Sequence, residues 1–310
     1  MPAMSNRNWY KGNLHTHTTE SDGDTEPQHV AEWYKDHGYD FLVLSDHNHL
    51  TVLDDADGHP GKWPLLIAGE EITSRLFNNT VPVHVNGIGL KSFVEPAAEE
   101  SARETLQENI DRIRAAGGLA SINHPNYKWT LTTEDIVDTT GAWAVEIYNG
   151  HPGSNGNGGG GSPGVESMWD TALTAGKRIF GVATDDSHHY IQEFNAQLSN
   201  PGRGWVVVQT NDFSEAGLLE SMSAGAFYSS SGIVIDDMKV ARDEIVIDMA
   251  PYDSEKFTTI FYGEGGKQLA VEHGDSVRFV PPSTEKYVRA TVHSSREAFK
   301  AWTQPLFRDA

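Results

Sequence analysis

The chain has 310 residues, which is enough for one large domain, or for a large and a small one, with room for a buried core. Its 44 acidic and 23 basic side chains give a formal net charge of −21, and this excess disfavours binding to nucleic acids or anionic membrane surfaces. The absence of cysteine excludes disulfides, thiolate nucleophiles and cysteine-based zinc sites. Any metal ion must therefore be held by histidine, aspartate and glutamate.

The sequence contains no apolar run of the length that a signal peptide or a membrane span requires. We therefore expect a soluble protein that acts in the cytoplasm and binds neither membranes nor nucleic acid. Its oligomeric state has no signature in the sequence.

From Trp9 to about Ser231 the chain alternates short apolar runs with helical stretches. Strands are predicted at residues 41–45, 64–69, 81–90, 119–123, 143–148, 178–184 and 205–210, with a weaker one at 8–16. Helices are predicted at residues 26–37, 99–116, 165–175 and 214–224. Strands that alternate with helices predict parallel β-α units, closed into a barrel or opened into a doubly wound sheet.

The pattern changes after about Gly232, where alternating strands follow one another without a helix of normal length. We predict a domain at residues 1–231 and a small β-sandwich at 232–310. The glycine-rich stretch 151–164 is followed by further helix and strand patterns, so it is predicted to be an extended loop inside the first domain.

The segment NLHTHTTESDG places His15 and His17 two residues apart on the weak first strand, with Asp22 in the turn that follows. Alternate residues of a strand point to the same side, so the two imidazoles share one face. Two imidazoles and a carboxylate suit Zn, Mn or Fe better than Mg or Ca. A pair of surface histidines near a turn is the alternative.

Metal-ligand side chains recur at the other strands. Their positions are Asp46 and His47, Glu70 and Glu71, His84, His124, and Asp185, Asp186 and His188. The carboxyl ends of barrel strands converge on one mouth, so groups distant in sequence would meet there, which favours a barrel. A lone histidine is more often structural, but this recurrence favours a metal site.

These motifs together resemble the PHP family, named for polymerase and histidinol phosphatase domains. The matching motifs are HTH followed by SDG, then SDHN, GEEI, the histidine at position 84, NHP and DDSH. Within that family the chain is most similar to the CehA/McbA-type metallohydrolases, and the resemblance spans nearly the whole sequence. Amidohydrolase barrels also begin with H-x-H and are the neighbouring class. The resemblance implies a distorted, TIM-like (β/α)7 barrel.

The resemblance also implies a centre of two to three divalent transition-metal ions, Zn, Mn or Fe. It assigns the first metal to His15, His17, Glu71 and Asp186, the second to Glu71, His84 and His124, and the third to Asp22, His47 and His188. The family's G-x-E and D-x-H motifs select Glu71 over Glu70 and Asp186 over Asp185.

Such a centre predicts hydrolysis, because bound metals lower the pKa of water and stabilise an oxyanion; Glu71 and Asp186 would act with the hydroxide this produces. The leading expectation is a phosphoesterase that takes small phosphate esters. The alternative is an aryl carbamate or carboxylic ester hydrolase, and the third is a non-catalytic, metal-containing binding module.

Side chains near these motifs are further candidates. Arg75, Lys128 and His151 could bind a phosphate oxygen or protonate a leaving group, although each could equally be a solvated loop side chain. Trp129 and Tyr148 could line an aryl pocket, whereas aromatic residues near barrel strands usually belong to the core.

Overall fold

The structure is a computed structural model, and it describes residues 8–53, 61–77 and 80–308. The elements up to residue 230 are β1 (Trp9–Asn13), α1 (Pro27–Asp36), β2 (Phe41–Leu44), β3 (Leu65–Leu76), β4 (Val81–Ile88), α2 (Ala102–Ala115), β5 (Leu119–Ile122), α3 (Thr133–Asp138), β6 (Ala144–Asn149), α4 (Val165–Thr174), β7 (Phe180–Thr184), β8 (Trp205–Gln209), α5 (Glu215–Ser223) and β9 (Phe227–Ser230). The later strands are β10 (Ile235–Val240), β11 (Ile245–Met249), β12 (Phe257–Gly263), β13 (Lys267–His273), β14 (Ser276–Phe279), β15 (Tyr287–Ser294), β16 (Lys300–Thr303) and β17 (Leu306–Phe307).

Local sequence explains where the helices begin and what they bury. Ser101 caps α2 by accepting a hydrogen bond from the backbone of Glu104, and Leu106, Ile110 and Ile113 form its buried face. The sequence did not predict α3, whose six residues are too few for a clear period; a capping box at Thr132 holds it instead.

Seven strands lie side by side in the order β1 to β7. The pairs β1–β2, β2–β3, β5–β6 and β6–β7 are parallel, as the alternation with helices predicted. The pairs β3–β4 and β4–β5 are antiparallel, which differs from that prediction. The short connection at residues 77–80 makes β3 and β4 antiparallel, because a parallel crossover needs a dozen or more residues. The strand β5 then runs in the same direction as β3 and therefore opposite to β4.

The two ends of this row of strands meet at their carboxyl side. Thr16, just after β1, forms a parallel bridge with Ser187, just after β7. The backbone N–H of Asp186 donates to His15, and that of His17 donates to Ser187. These contacts bring the segments after β1 and β7 together at one place.

The same sheet continues from β1 through β8 and β9 into the later strands β16, β15, β12 and β13, while β10, β11 and β14 form a separate sheet. One apolar cluster packs Val207 and Tyr228 with Ile247, Phe261 and Val292. Hydrogen bonds between β9 and β16 also cross the predicted domain boundary at 231/232. The division into two domains stays a prediction.

A buried ion cluster joins α4 to the late strand β15. The guanidinium of Arg289 is almost fully enclosed, donates twice to Asp170 and also contacts Glu166.

No helix within the described residues has the length and apolarity that a membrane crossing requires.

Candidate metal centre

The two histidines that follow β1 face the same interior point. His15 and His17 are both fully buried, and their Nε2 atoms lie 3.1 Å apart. Thr16 between them points the other way, and its hydroxyl donates to the backbone oxygen of Val43. The alternation predicted from H-x-H is therefore present in the structure.

Glu71 lies at the centre of the cluster. The structure extends β3 to residue 76, beyond its predicted end, because the added residues pair with β4, so Glu71 lies within the strand. Its Oε1 is 3.0 Å from Nδ1 of His84 and 3.3 Å from Nε2 of His124, and its Oε2 is 2.7 Å from Nδ1 of His47. Both histidines that follow β1 also lie 3.4 Å from this carboxylate.

Asp186 contributes a second buried carboxylate from the segment after β7. Its Oδ1 lies 3.3 Å from Nε2 of His15, 3.2 Å from Nε2 of His17 and 3.7 Å from Nδ1 of His188. Residues that are 171 positions apart in the sequence, 15 and 186, are therefore in contact distance at the carboxyl side of the sheet.

A more open group surrounds Asp22, whose carboxylate is 58% exposed. Its oxygens lie 3.2 Å from Nε2 of His188, 3.6 Å from Nε2 of His47 and 3.7 Å from Nδ1 of His17. The ring of His17 stacks on that of His188 at 4.0 Å, so it lies between the buried and the open parts of the cluster.

Asp46, which also follows a predicted strand, shapes the loop rather than joining the cluster. Its carboxylate accepts hydrogen bonds from the backbone and hydroxyl of Thr18 and from the hydroxyls of Ser21 and Thr51. These bonds fix the turn that carries Asp22.

The neighbours of the two central carboxylates point elsewhere. Glu70 accepts from the backbone N–H of Val94, and burial raises its pKa to about 7. Asp185 accepts from the hydroxyl of Tyr34 and from three backbone N–H groups, including that of Gly204. Glu71 and Asp186 therefore face the histidines of the cluster, whereas Glu70 and Asp185 bond elsewhere, and their choice as ligands stays a prediction.

The cluster perturbs the pKa values of its members in opposite directions. Burial and the neighbouring histidine rings lower the pKa of His17 to about 4. Burial lowers the pKa of His188, but the carboxylates of Asp22 and Asp186 outweigh it and raise the pKa to about 9. Burial raises the pKa of Glu71, but the surrounding histidines outweigh it and hold the pKa well below its usual range. Protons on histidines thus balance the carboxylates, and a metal ion would displace them.

The donor set fits a cation. Nδ1 of His15 is hydrogen-bonded to the carboxylate of Glu146 at 2.6 Å, so a neutral His15 presents the lone pair of Nε2 to the cluster. The Nε2 atom of His15 lies close to Nε2 of His17 and to the carboxylates of Glu71 and Asp186. Nε2 of His84 is also buried and has no hydrogen-bond partner. Four groups of side chains have their ligand atoms within 4.8 Å of one another, so each group could hold a metal ion. These groups are His17, Asp22, His47 and His188; His15, His124 and Asp186; His15, His17 and Glu71; and His47, Glu71 and His84.

Polar and aromatic side chains form the rim of the cluster. The ring of Tyr127 lies 5.1 Å from that of His124, and burial and the charges of Asp186 and Glu71 raise its pKa, against the nearby charge of Arg75. Lys128 is exposed and lies 5.4 Å above the Tyr127 ring. The side chains of Arg75 and Lys128 therefore lie beside the cluster and not within it.

His151 lies on the same rim. Its ring is 5.8 Å from that of His188, and its Nδ1 accepts a hydrogen bond from the backbone N–H of Gly153. Burial and the neighbouring histidines outweigh the charge of Asp186 and lower its pKa, which favours the neutral ring. The two aromatic candidates differ: Trp129 is 45% exposed, whereas Tyr148 packs against Trp302 in the core.

Sequence reasoning missed several supporting side chains. Glu146 lies within the apolar run WAVEIY of β6 and contacts His15, and Asn123 donates to Glu71 at 2.8 Å. Asn149 donates to both Glu146 and Asp186. A charged residue inside a buried strand was the signal that could have identified Glu146.

No family model and no curated protein matches the chain. Among solved structures, the chain is similar to a two-domain protein of Bacteroides vulgatus described as containing a predicted PHP-like metal-dependent phosphoesterase. The identity is 14%, the TM-score is 0.55, and the match covers 100% of this chain and 90% of that one.

Two further structures match part of the chain. One is described as a candidate metal-dependent phosphoesterase of Bifidobacterium adolescentis, with 16% identity and a TM-score of 0.40 over 57% of this chain and 87% of that one. The other is an amidohydrolase of Chromobacterium violaceum, solved with bound sulfate and no metal, with 15% identity, a TM-score of 0.40 and the same coverage of both chains. The comparison over the full length confirms, at the level of the fold, the resemblance to PHP-like proteins that the motifs predicted.

Proposed function

We propose that the chain is a metal-dependent hydrolase that acts on small phosphate esters. The observation that carries this proposal is the meeting of six histidines and three carboxylates at one side of the sheet. Divalent ions bound there would lower the pKa of water and stabilise negative charge on the substrate, which is the chemistry that ester hydrolysis requires.

We assign the ligands to three positions, of which the first two share Glu71. The first comprises His15, His17, Glu71 and Asp186, the second Glu71, His84 and His124, and the third Asp22, His47 and His188. Distances of 3.0–3.6 Å between carboxylate oxygens and histidine nitrogens inside each position support this division. The contact of 2.7 Å between His47 and Glu71 links the third position to the other two. Imidazole nitrogens are the majority of the donors, which favours Zn, Mn or Fe over Mg or Ca.

The rim supports a phosphate ester as the substrate. Arg75 and Lys128 place positive charge beside the centre of a chain whose net charge is −21. Because a backbone N–H donates to Nδ1 of His151, the proton of its neutral ring lies on Nε2. His151 would thus donate a hydrogen bond to a substrate or leaving-group oxygen.

An aryl carbamate or carboxylic ester is the second candidate substrate class. The exposed indole of Trp129 lies against Gly159 and follows Tyr127 on the rim, so an aromatic leaving group would find an apolar surface there. A non-catalytic module that only holds metal is the third candidate.

The strand order β1 to β7 and the bridge between Thr16 and Ser187 support a distorted (β/α)7 barrel. The all-strand segment after residue 232 supports a β-sandwich domain at 232–310. We also propose that no nucleic-acid polymer is a partner, because of the net charge.

The test compares aryl phosphate mono-, di- and triesters with aryl carbamates and aryl acetates, using protein supplied with Zn or Mn. Turnover of a phosphate ester that is lost in Glu71→Gln supports the proposal, and preference for a carbamate or acetate would replace it with the second candidate. Metal binding without turnover of any of these esters would favour the non-catalytic module.

A further inference from the structure

Glu146 is a buried carboxylate at the cluster that belongs to none of the candidate ligand groups. It lies on β6, and four hydrogen-bond donors surround its two oxygens. A carboxylate that accepts four such bonds is fully satisfied as an anion, so its ionised form needs no metal of its own.

One oxygen of Glu146 fixes the protonation pattern of a candidate ligand. Oε1 accepts from Nδ1 of His15 at 2.6 Å and from the hydroxyl of Thr184 at 2.7 Å. An ionised carboxylate cannot donate, so the proton of this hydrogen bond belongs to His15 Nδ1. A neutral His15 therefore has its free lone pair on Nε2, which faces Glu71 and Asp186.

The other oxygen holds strained backbone. Oε2 accepts from the backbone N–H of His124 at 2.8 Å and from the amide of Asn149 at 2.9 Å, and that amide also lies 3.1 Å from Asp186. His124 has a φ of 22° and Asp186 a φ of 49°, a region that residues with a Cβ rarely occupy. Glu146 thus holds the backbone of His124, and Asn149 holds the carboxylate of Asp186.

We propose that Glu146 is a positioning residue that prepares His15, His124 and Asp186 to receive the metal ions of the first and second positions. It sets the tautomer of His15, holds the backbone of His124 directly and acts on Asp186 through Asn149. These three ligands come from the segments after β1, β5 and β7, and their donor atoms lie within 4.8 Å of one another. The inference rests on the proposed function only in that the first and second positions hold metal ions.

The substitution Glu146→Gln tests the proposal, because a glutamine amide cannot accept all four bonds. Its NH2 group must face N–H or O–H donors, and His15 can relieve this by moving its proton to Nε2, where it blocks ligation. We expect affinity for Zn²⁺, measured by competition with a chromophoric chelator, to fall about 10- to 100-fold. Long-range ¹H–¹⁵N NMR of the metal-free protein, recorded at a pH above the raised pKa of His15 so that its ring is neutral, should show His15 changing from the Nδ1–H to the Nε2–H tautomer.

Two further variants separate positioning from general destabilisation. Asp170→Asn also removes a buried carboxylate, but Asp170 contacts Arg289 and Tyr287 and belongs to none of the candidate ligand groups, so this change should lower the thermal midpoint and leave Zn²⁺ affinity unchanged. Asn149→Ala removes one of the four donors, so it should weaken Zn²⁺ binding by less than tenfold and keep the Nδ1–H tautomer of His15; this variant tests the proposal if Glu146→Gln does not fold.

The proposal is overturned if Glu146→Gln binds Zn²⁺ like the wild type and keeps the tautomer of His15. An equal loss of affinity in Asp170→Asn, with an unchanged tautomer in Glu146→Gln, would also overturn it. If the wild-type chain binds no Zn²⁺, the proposed function fails, whereas the tautomer of metal-free His15 still decides whether Glu146 acts on it.

Discussion

Replacing Glu71 of β3 by glutamine should weaken metal binding and hydrolysis, whereas the same replacement of the adjacent Glu70 should change neither. Glu71 is within 3.4 Å of five histidines and takes part in two of the groups that can hold a metal ion, whereas Glu70 faces the backbone of Val94. The two variants carry the same chemical change one residue apart. They therefore form a matched pair in which only the direction of the side chain differs.

The size of the Glu71→Gln effect follows from what the carboxylate does. Loss of a partner outside the ligand shell typically costs 10- to 100-fold in metal affinity, so loss of a shared ligand should cost about 100-fold or more, roughly 2.7 kcal/mol. Hydrolysis of the best substrate should fall by at least as much. In Glu70→Gln the side-chain carbonyl still accepts the bond from Val94, so both quantities should stay within about threefold of wild type.

The assay measures metal per chain in a buffer of fixed free Zn²⁺, together with kcat/KM for the same preparations. Retention of metal and activity in Glu71→Gln would refute the reasoning, as would a larger loss in Glu70→Gln. The second result would show that the acidic pair is oriented the other way.

Three other predictions follow from the same contacts. Removal of divalent ions with a chelator should lower the thermal midpoint and abolish hydrolysis, and Zn or Mn should restore both, because a bound ion stabilises only the folded state; an unchanged midpoint would contradict this. Arg75→Ala and Lys128→Ala should raise KM for an anionic ester about two- to fivefold without changing metal content, as expected for exposed charges, and a loss of metal would contradict the placement of both on the rim. Burial lowers the pKa of Lys11 from 10.5 to about 8, although the charges of Asp185 and Asp40 oppose this shift. Between pH 8 and pH 10.5 the folded chain therefore binds fewer protons than the unfolded chain, so the stability of the wild type should increase with pH over this range. Lys11→Met should therefore be more stabilising, relative to wild type, at pH 7 than at pH 10.5 in chemical unfolding, and an equal difference at both values would contradict this.

The candidate ligands could be predicted from the sequence because all but Asp22 lie in or soon after a predicted strand, and Asp22 belongs to the motif that follows His15 and His17. His124 and Asp186 follow buried strands, and the carboxyl ends of such strands meet in space. The antiparallel run β3–β4–β5 could not be read in the same way, since apolar strands of either direction have the same composition.

The supporting side chains depend on tertiary contacts that no motif records. Glu146 contacts a histidine 131 positions away, and its role follows only from the four donors around it. The rim depends on left-handed backbone at Lys128 and Trp129, which side-chain type alone does not predict.

The central claim is that the cluster holds catalytic metal ions, and elemental analysis of the purified chain after reconstitution with Zn and Mn tests it most directly. We predict two to three ions per wild-type chain and a clear reduction in Glu71→Gln. Fewer than one ion per wild-type chain would contradict the claim.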